Sequence, residues 1–165
     1  SIIGDLHLCL IEMFNLGIMY HNGQGVDQRH ATAAKWYRKA ADQGYAHAQN
    51  ELGIIYEYGK GVEKEKYKAE EWYRKAANQG HADSQSNLGL CYAHGMGVPQ
   101  SFSTAVEWYH KAARLGYAGA QFNLGRRHWE GQGGWIAYAR AVAELLVYRY
   151  LAFVELLPGI AFFSL

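Results

Sequence analysis

Cysteine and proline are almost missing from this chain, at two residues each in 165. Cys9 and Cys91 stand 82 positions apart, which is neither a zinc-ligand spacing nor a disulfide framework, so cysteine usage leaves the redox compartment unread. An excess of one charge is also lacking. Sixteen Lys and Arg are set among 15 Asp and Glu, giving a formal net charge of +1 and no basic footprint for nucleic acid. No Asn-x-Ser/Thr acceptor occurs. The opening Ser1-Ile2-Ile3-Gly4-Asp5 lacks the basic start of a signal peptide, as a processed or truncated chain also would, and localisation stays open among cytoplasm, periplasm and secretion. A membrane-spanning helix is disfavoured because the apolar C-terminal part has no stretch of about 20 residues free of charge, and Pro158 interrupts its end.

Recognisable reaction chemistry is equally scarce. Eight histidines are present, but no His-Glu-x-x-His or Cys-x-x-Cys pairing accompanies them. His21, His47, His94 and His110 replace other polar or small residues and read as solvated surface. Neither Gly-x-Gly-x-x-Gly nor the Walker pattern is found, and neither Gly-x-Ser-x-Gly nor Ser-x-x-Lys supplies a nucleophile. The expectation is a protein with no metal, no cofactor and no enzymatic activity.

What the chain does contain is apolar and periodic. Half of its residues are hydrophobic, which excludes disorder, and the length suits one domain. The 19 glycines and 24 aromatic residues find their places in a repeat of 36. Leu-Gly recurs at Leu16-Gly17, Leu52-Gly53, Leu88-Gly89 and Leu124-Gly125. Trp36-Tyr37, Trp72-Tyr73 and Trp108-Tyr109 keep the same step, as do Lys39-Ala40-Ala41, Lys75-Ala76-Ala77 and Lys111-Ala112-Ala113. Each unit predicts two helices. In the second, Ala33, Trp36, Tyr37, Ala40 and Ala41 share one face, and Gly44 ends the helix as a residue able to adopt positive φ. In the first, Ala48, Gln49, Leu52, Gly53 and Tyr56 share a face. A glycine inside a helix costs about 1 kcal/mol relative to alanine, so Gly17, Gly53, Gly89 and Gly125 are expected to form notches against which a Trp or Tyr ring lies. Gly-x-Gly-Val segments at Gly23, Gly59 and Gly95 are read as turns.

These columns resemble the Sel-one-like repeat, a relative of the tetratricopeptide repeat. The resemblance runs from about residue 12 to 134 and is carried by Ala46-His47-Ala48-Gln49 with Leu52-Gly53, and by Ala118 to Gly125. It implies an all-α fold, a right-handed α-solenoid of 36-residue helix-turn-helix repeats like that of tetratricopeptide proteins, and a scaffold or adaptor that binds a protein or peptide. Residues 1–134 would form the solenoid, about three full repeats plus the first helix of a fourth. In residues 135–165 the motif fails, since Glu144-Leu145 replaces the aromatic pair. Three readings stand for that tail: a capping helix, a membrane-surface or partner-binding helix, or an extension unrelated to the repeats. Atypical apolar ends also leave end-to-end self-association open. A cysteine-rich branch of the family acts on β-lactams with a cysteine pair in each repeat, a pattern that Cys9 and Cys91 do not reproduce.

The resemblance implies that first helices line the binding side. The face opposite Leu52 then carries His47, Asn50, Glu51, Ile54, Glu57 and Tyr58. One column reads Asn15, Glu51, Asn87 and Asn123. Its amides either hold the backbone of an extended peptide or bond to adjacent repeats. A second reads Ile18, Ile54, Leu90 and Arg126, flanked by Phe14, Tyr58 and Phe122, and forms either a groove floor or surface covered by superhelical curvature. His94 follows Tyr58 by one repeat and completes the candidate surface.

Overall fold

The computed structural model describes residues 2–131 and the isolated positions 143, 146 and 147. The three readings of residues 135–165 otherwise lie outside the described residues. Among residues 2–131, seven α-helices run in order: α1 (Ile2–Asn22), α2 (His30–Asp42), α3 (Ala46–Tyr58), α4 (Lys66–Asn78), α5 (Ala82–His94), α6 (Phe102–Arg114) and α7 (Ala118–Gly131). No strand occurs among the described residues. The architecture is the all-α repeat solenoid that the period implies: three antiparallel hairpins followed by the first helix of a fourth unit.

Local chemistry sets each boundary. The second helices are rich in alanine and long-chain residues, good helix formers. They end in a Schellman motif at Gly44, where φ is 91°: Gly44 N–H donates to the Ala41 carbonyl and Tyr45 N–H to that of Ala40. Gly80 and Gly116 repeat this arrangement. Each hairpin is closed by a backbone bond from the residue before the second helix to the Tyr of the first. Arg29 N–H donates to the Tyr20 carbonyl at 2.8 Å, Glu65 to Tyr56 at 3.0 Å and Ser101 to Tyr92 at 2.9 Å.

Inside each hairpin the glycine notch receives Tyr, not Trp. A methyl group at Gly89 would stand 2.6 Å from the Tyr109 ring, and Gly17 and Gly53 lie still closer to Tyr37 and Tyr73. These three tyrosines are the largest fully buried side chains. The Trp partners lie at the helix flank. Trp72 is buried while Trp36 and Trp108 are half-buried, and each has a lysine ammonium over its ring, Lys39 at 4.2 Å, Lys75 at 4.0 Å and Lys111 at 3.7 Å.

Successive hairpins are joined by conserved spacing within the chain itself. Buried Gln49 donates its side-chain amide to the Ala41 carbonyl at 3.0 Å, and Gln85 does the same to Ala77 at 3.2 Å. The repeated Gln thus adds a second donor to a last-turn carbonyl that already accepts from the glycine N–H of the Schellman motif, and ties the preceding helix to the next first helix. Arg38 reaches forward to the Tyr56 hydroxyl, and Arg74 to that of Tyr92 at 2.8 Å. The second turn glycine completes the joint: a side chain at Gly61 would run into the backbone of His30 and Ala31, and one at Gly97 into that of Lys66 and Tyr67. Apolar contacts form two buried clusters, one running from Leu10 to Cys91 and one around Tyr109 and Leu124.

Candidate functional site

The first helices meet one another through polar and aromatic side chains. Phe14 of α1 lies 5.4 Å from the Tyr45 ring and 6.0 Å from that of His47, whose ring in turn stands 4.6 Å from His81. His47 and His81 are hydrogen-bonded nitrogen to nitrogen at 3.0 Å. His81 is also the N-cap of α5, where its other ring nitrogen meets the Ser84 backbone N–H at 3.3 Å and the Ser84 hydroxyl at 2.9 Å. Both of its nitrogens therefore have partners, and an added proton would set a donor against a donor. Burial and the adjacent His47 hold the His81 ring below the usual imidazole range, against the opposing influence of Asp83.

Asn50 sits deeper than the sequence suggested. It is 5% exposed, and its side-chain oxygen accepts from the Ser84 hydroxyl at 2.8 Å and from the Asn87 amide at 3.2 Å. It belongs to the joint between α3 and α5 instead of the open face, because the Asn50 column in the second unit abuts the next first helix. Asn87 is half-buried, with one amide bond directed into this joint. Glu51 is also half-buried. Burial pushes its carboxyl above the ordinary carboxylate range and Asp83 adds to the rise, while Asn50 and Lys60 oppose it.

The remaining candidates form a mixed apolar and polar surface. Ile18, Ile54 and Leu90 are half-buried, each one repeat apart, and Asn123 is half-buried as well. Asn15 and His94 are exposed, Tyr58 is 62% exposed and Phe122 is 72% exposed. The Arg126 side chain falls outside the described residues. The histidines depart from the solvated surface expected of them. His47 and His94 are exposed, but His21 and His110 are half-buried, and His21 packs 5.1 Å from His30. Sequence reading missed the His47 and His81 pair, although Tyr45, His81 and Tyr117 share one column and mark an aromatic ring before each later first helix. Among the described residues no group of three or more metal-ligating side chains converges, and no helix is long and apolar enough to cross a membrane. A cleft of about 250 Å³ lies elsewhere, lined by Ala31, Ala34, Lys35 and Arg38 of α2 with Leu52 and Tyr56, and it includes none of the candidate residues.

The family description "Sel1 repeat" matches residues 13–45, 46–81, 82–117 and 118–137. The chain belongs to the Sel1 repeat family. Similar solved structures share the fold. One is c5321, described as a protective antigen of uropathogenic Escherichia coli strains displaying an SLR fold, with 35% identity and a TM-score of 0.76 over 87% of this chain and 30% of its own. Another is a Sel1 repeat protein from Oxalobacter formigenes, with 34% identity and a TM-score of 0.74 over 86% of this chain and 58% of its own. Cysteine rich protein B of Helicobacter pylori is 25% identical with a TM-score of 0.60, over 73% of this chain and 93% of its own. This Sel1 repeat chain thus spans less than two thirds of the first two. No curated protein matches it. Sel1 repeats generally serve as protein interaction scaffolds. The bridged repeat of a cysteine-rich branch is not formed here, since half-buried Cys9 and buried Cys91 are both free.

Proposed function

We propose that this chain is a non-enzymatic scaffold that holds a peptide or partner protein along its first-helix face. The observation that carries this reading is the row of Ile18, Ile54 and Leu90. All three pack against the core clusters yet remain only half-buried at constant spacing, and exposed Tyr58 and Phe122 extend the apolar surface beside them. Half-buried Asn87 and Asn123 add amides at the same spacing, and an amide offers both a donor and an acceptor to an extended backbone. Arg126 falls in the apolar column one repeat beyond Leu90 and would change the chemistry at that end of the face.

The test is selection of a displayed random-peptide library on the whole chain, followed by binding of the selected peptides to Tyr58→Ala, Phe122→Ala and Asn123→Ala, which spare the half-buried apolar row. Each substitution is expected to weaken capture at least several-fold with nearly unchanged thermal unfolding. Selected peptides that bind all three variants like the parent would overturn the assignment of the face.

A further inference from the structure

One column of the second helices is set differently in the first two hairpins. In the second, the Arg74 guanidinium donates to the Tyr92 hydroxyl at 2.8 Å and also to the carboxylate of Glu70, one turn earlier on α4. Glu70 is only 8% exposed, so the arginine holds a carboxylate that has left the water. One repeat earlier, Arg38 keeps the bond to the Tyr56 hydroxyl and lies 5.0 Å from the Trp72 ring, but Ala34 stands in the place of Glu70. Beside it, Lys35 stands in the place of Glu71, which pairs with Lys75 at 3.2 Å. The third hairpin has Val106 and His110 in the Glu70 and Arg74 columns. An arginine set for a carboxylate but lacking one on its own helix thus belongs to the first hairpin.

The space that Ala34 leaves is open. Ala34, Lys35 and Arg38 line the cleft of about 250 Å³ together with Leu52, Tyr56 and Val62. Among the described residues no carboxylate lines it, and neither Lys35 nor Arg38 forms an ion pair with a described residue. Glu65 approaches from α4 but is engaged by Lys68, at 2.6 Å. The part that Arg38 plays in the joint does not exhaust it. A guanidinium has five N–H donors, and Arg74 shows that one such group serves the tyrosine and a carboxylate together. Charge-assisted bonds of this kind are about twice as strong as neutral ones. The walls opposite the cations, Leu52 and Val62, are apolar, and the volume falls just below the range of about 300–1,000 Å³ usual for small-molecule pockets. Both features suit a short apolar stem.

We propose that this cleft binds a carboxylate on a short apolar stem, its charge taken by Arg38 and Lys35 as that of Glu70 is taken by Arg74. The site lies apart from the first-helix face and does not rest on the scaffold reading, which its failure would leave standing. A small free acid and a glutamate side chain of a partner both offer this group. The test titrates the isotope-labelled whole chain at neutral pH with hexanoate, with hexanamide and with a glutamate residue blocked at both termini, followed by nuclear magnetic resonance. Hexanoate is expected to shift the Ala34, Arg38 and Tyr56 signals saturably. Hexanamide is expected to bind about tenfold more weakly, the loss of one charge-assisted hydrogen bond, and the gap is expected to shrink with salt. Blocked glutamate that binds more tightly than hexanoate identifies a partner's side chain as the source, and weaker binding identifies a free acid. Ala34→Glu gives the first hairpin the carboxylate of the second and should abolish hexanoate binding. Lys35→Glu changes an exposed position to the residue type of its column in the second hairpin, so the fold is spared, and should weaken hexanoate several-fold. Equal binding of hexanoate and hexanamide, binding unchanged in Lys35→Glu, or no saturable shift from either carboxylate would overturn the site.

Discussion

Replacing Gly53 with alanine sets two known effects against each other. In an open helix the exchange stabilises by about 1 kcal/mol through helix propensity. Here the new methyl group would overlap the Tyr73 ring, which is 1% exposed and tethered through its hydroxyl to Glu57 at 2.6 Å. The ring has nowhere to withdraw, so the overlap falls at the upper end of the usual overpacking cost of about 1–3 kcal/mol. The net expectation is a loss of about 2 kcal/mol. Urea unfolding followed by far-ultraviolet circular dichroism measures it directly. The same substitution in a Tyr73→Leu background isolates the cause: without the ring the overlap vanishes, and Gly53→Ala should become neutral or stabilising by up to about 1 kcal/mol. A Gly53→Ala protein more stable than the parent, or one equally destabilised in both backgrounds, would refute the notch.

Three further outcomes follow from the joints and the buried groups. Gln85→Leu removes the side-chain bond to the Ala77 carbonyl, which the Gly80 N–H still engages, and should cost about 0.5–1.5 kcal/mol in the same urea assay; no loss would remove the joint-making role of the repeated Gln. His81 titrates in the folded state below its ordinary value of 6.5, so the folded chain binds fewer protons, and stability present above pH 6.5 is lost as pH falls through the folded value. Burial lowers His21 in the same direction, whereas raised Glu51 acts oppositely, its contribution being lost as pH rises through its folded value. His81→Asn keeps an N-capping side chain without a titrating group, so its stability below pH 6.5 should fall less steeply than the parent's; identical slopes would exonerate His81. Finally, burial followed by the charges of Glu57 and Glu70 pushes the Cys91 thiol up to about 12, so in the native protein a thiol reagent should label Cys9 and reach Cys91 only after denaturant. Rapid labelling of both would contradict the core placement of Cys91.

The helices and their stacking were legible because the same columns answer the same physical demand in every unit. Gly44, Gly80 and Gly116 stand where the chain needs positive φ, and Gly17, Gly53 and Gly89 stand where a ring needs space. Periodicity left Trp and Tyr equal candidates for that space. The choice depends on which way the second helix is turned, and the structure gives it to Tyr. The candidate face was legible in its apolar row, Ile18, Ile54 and Leu90, but less so in its polar residues. Whether an amide faces a partner or a neighbouring repeat depends on the distance between first helices, which no single unit contains. Asn50 shows this: on its own helix it lies opposite Leu52, yet two bonds from α5 bury it. The His47 and His81 contact escaped for a related reason, since it joins two different columns of adjacent units.

The central claim is that a partner lies along the first helices, and amide hydrogen exchange with a library-selected peptide bound to the whole chain tests it most directly. The account predicts added protection in α1, α3 and α5, centred on the turns of helix that carry Ile18, Ile54 and Leu90. Protection confined to α2, α4 and α6 would place the partner on the second helices and contradict it.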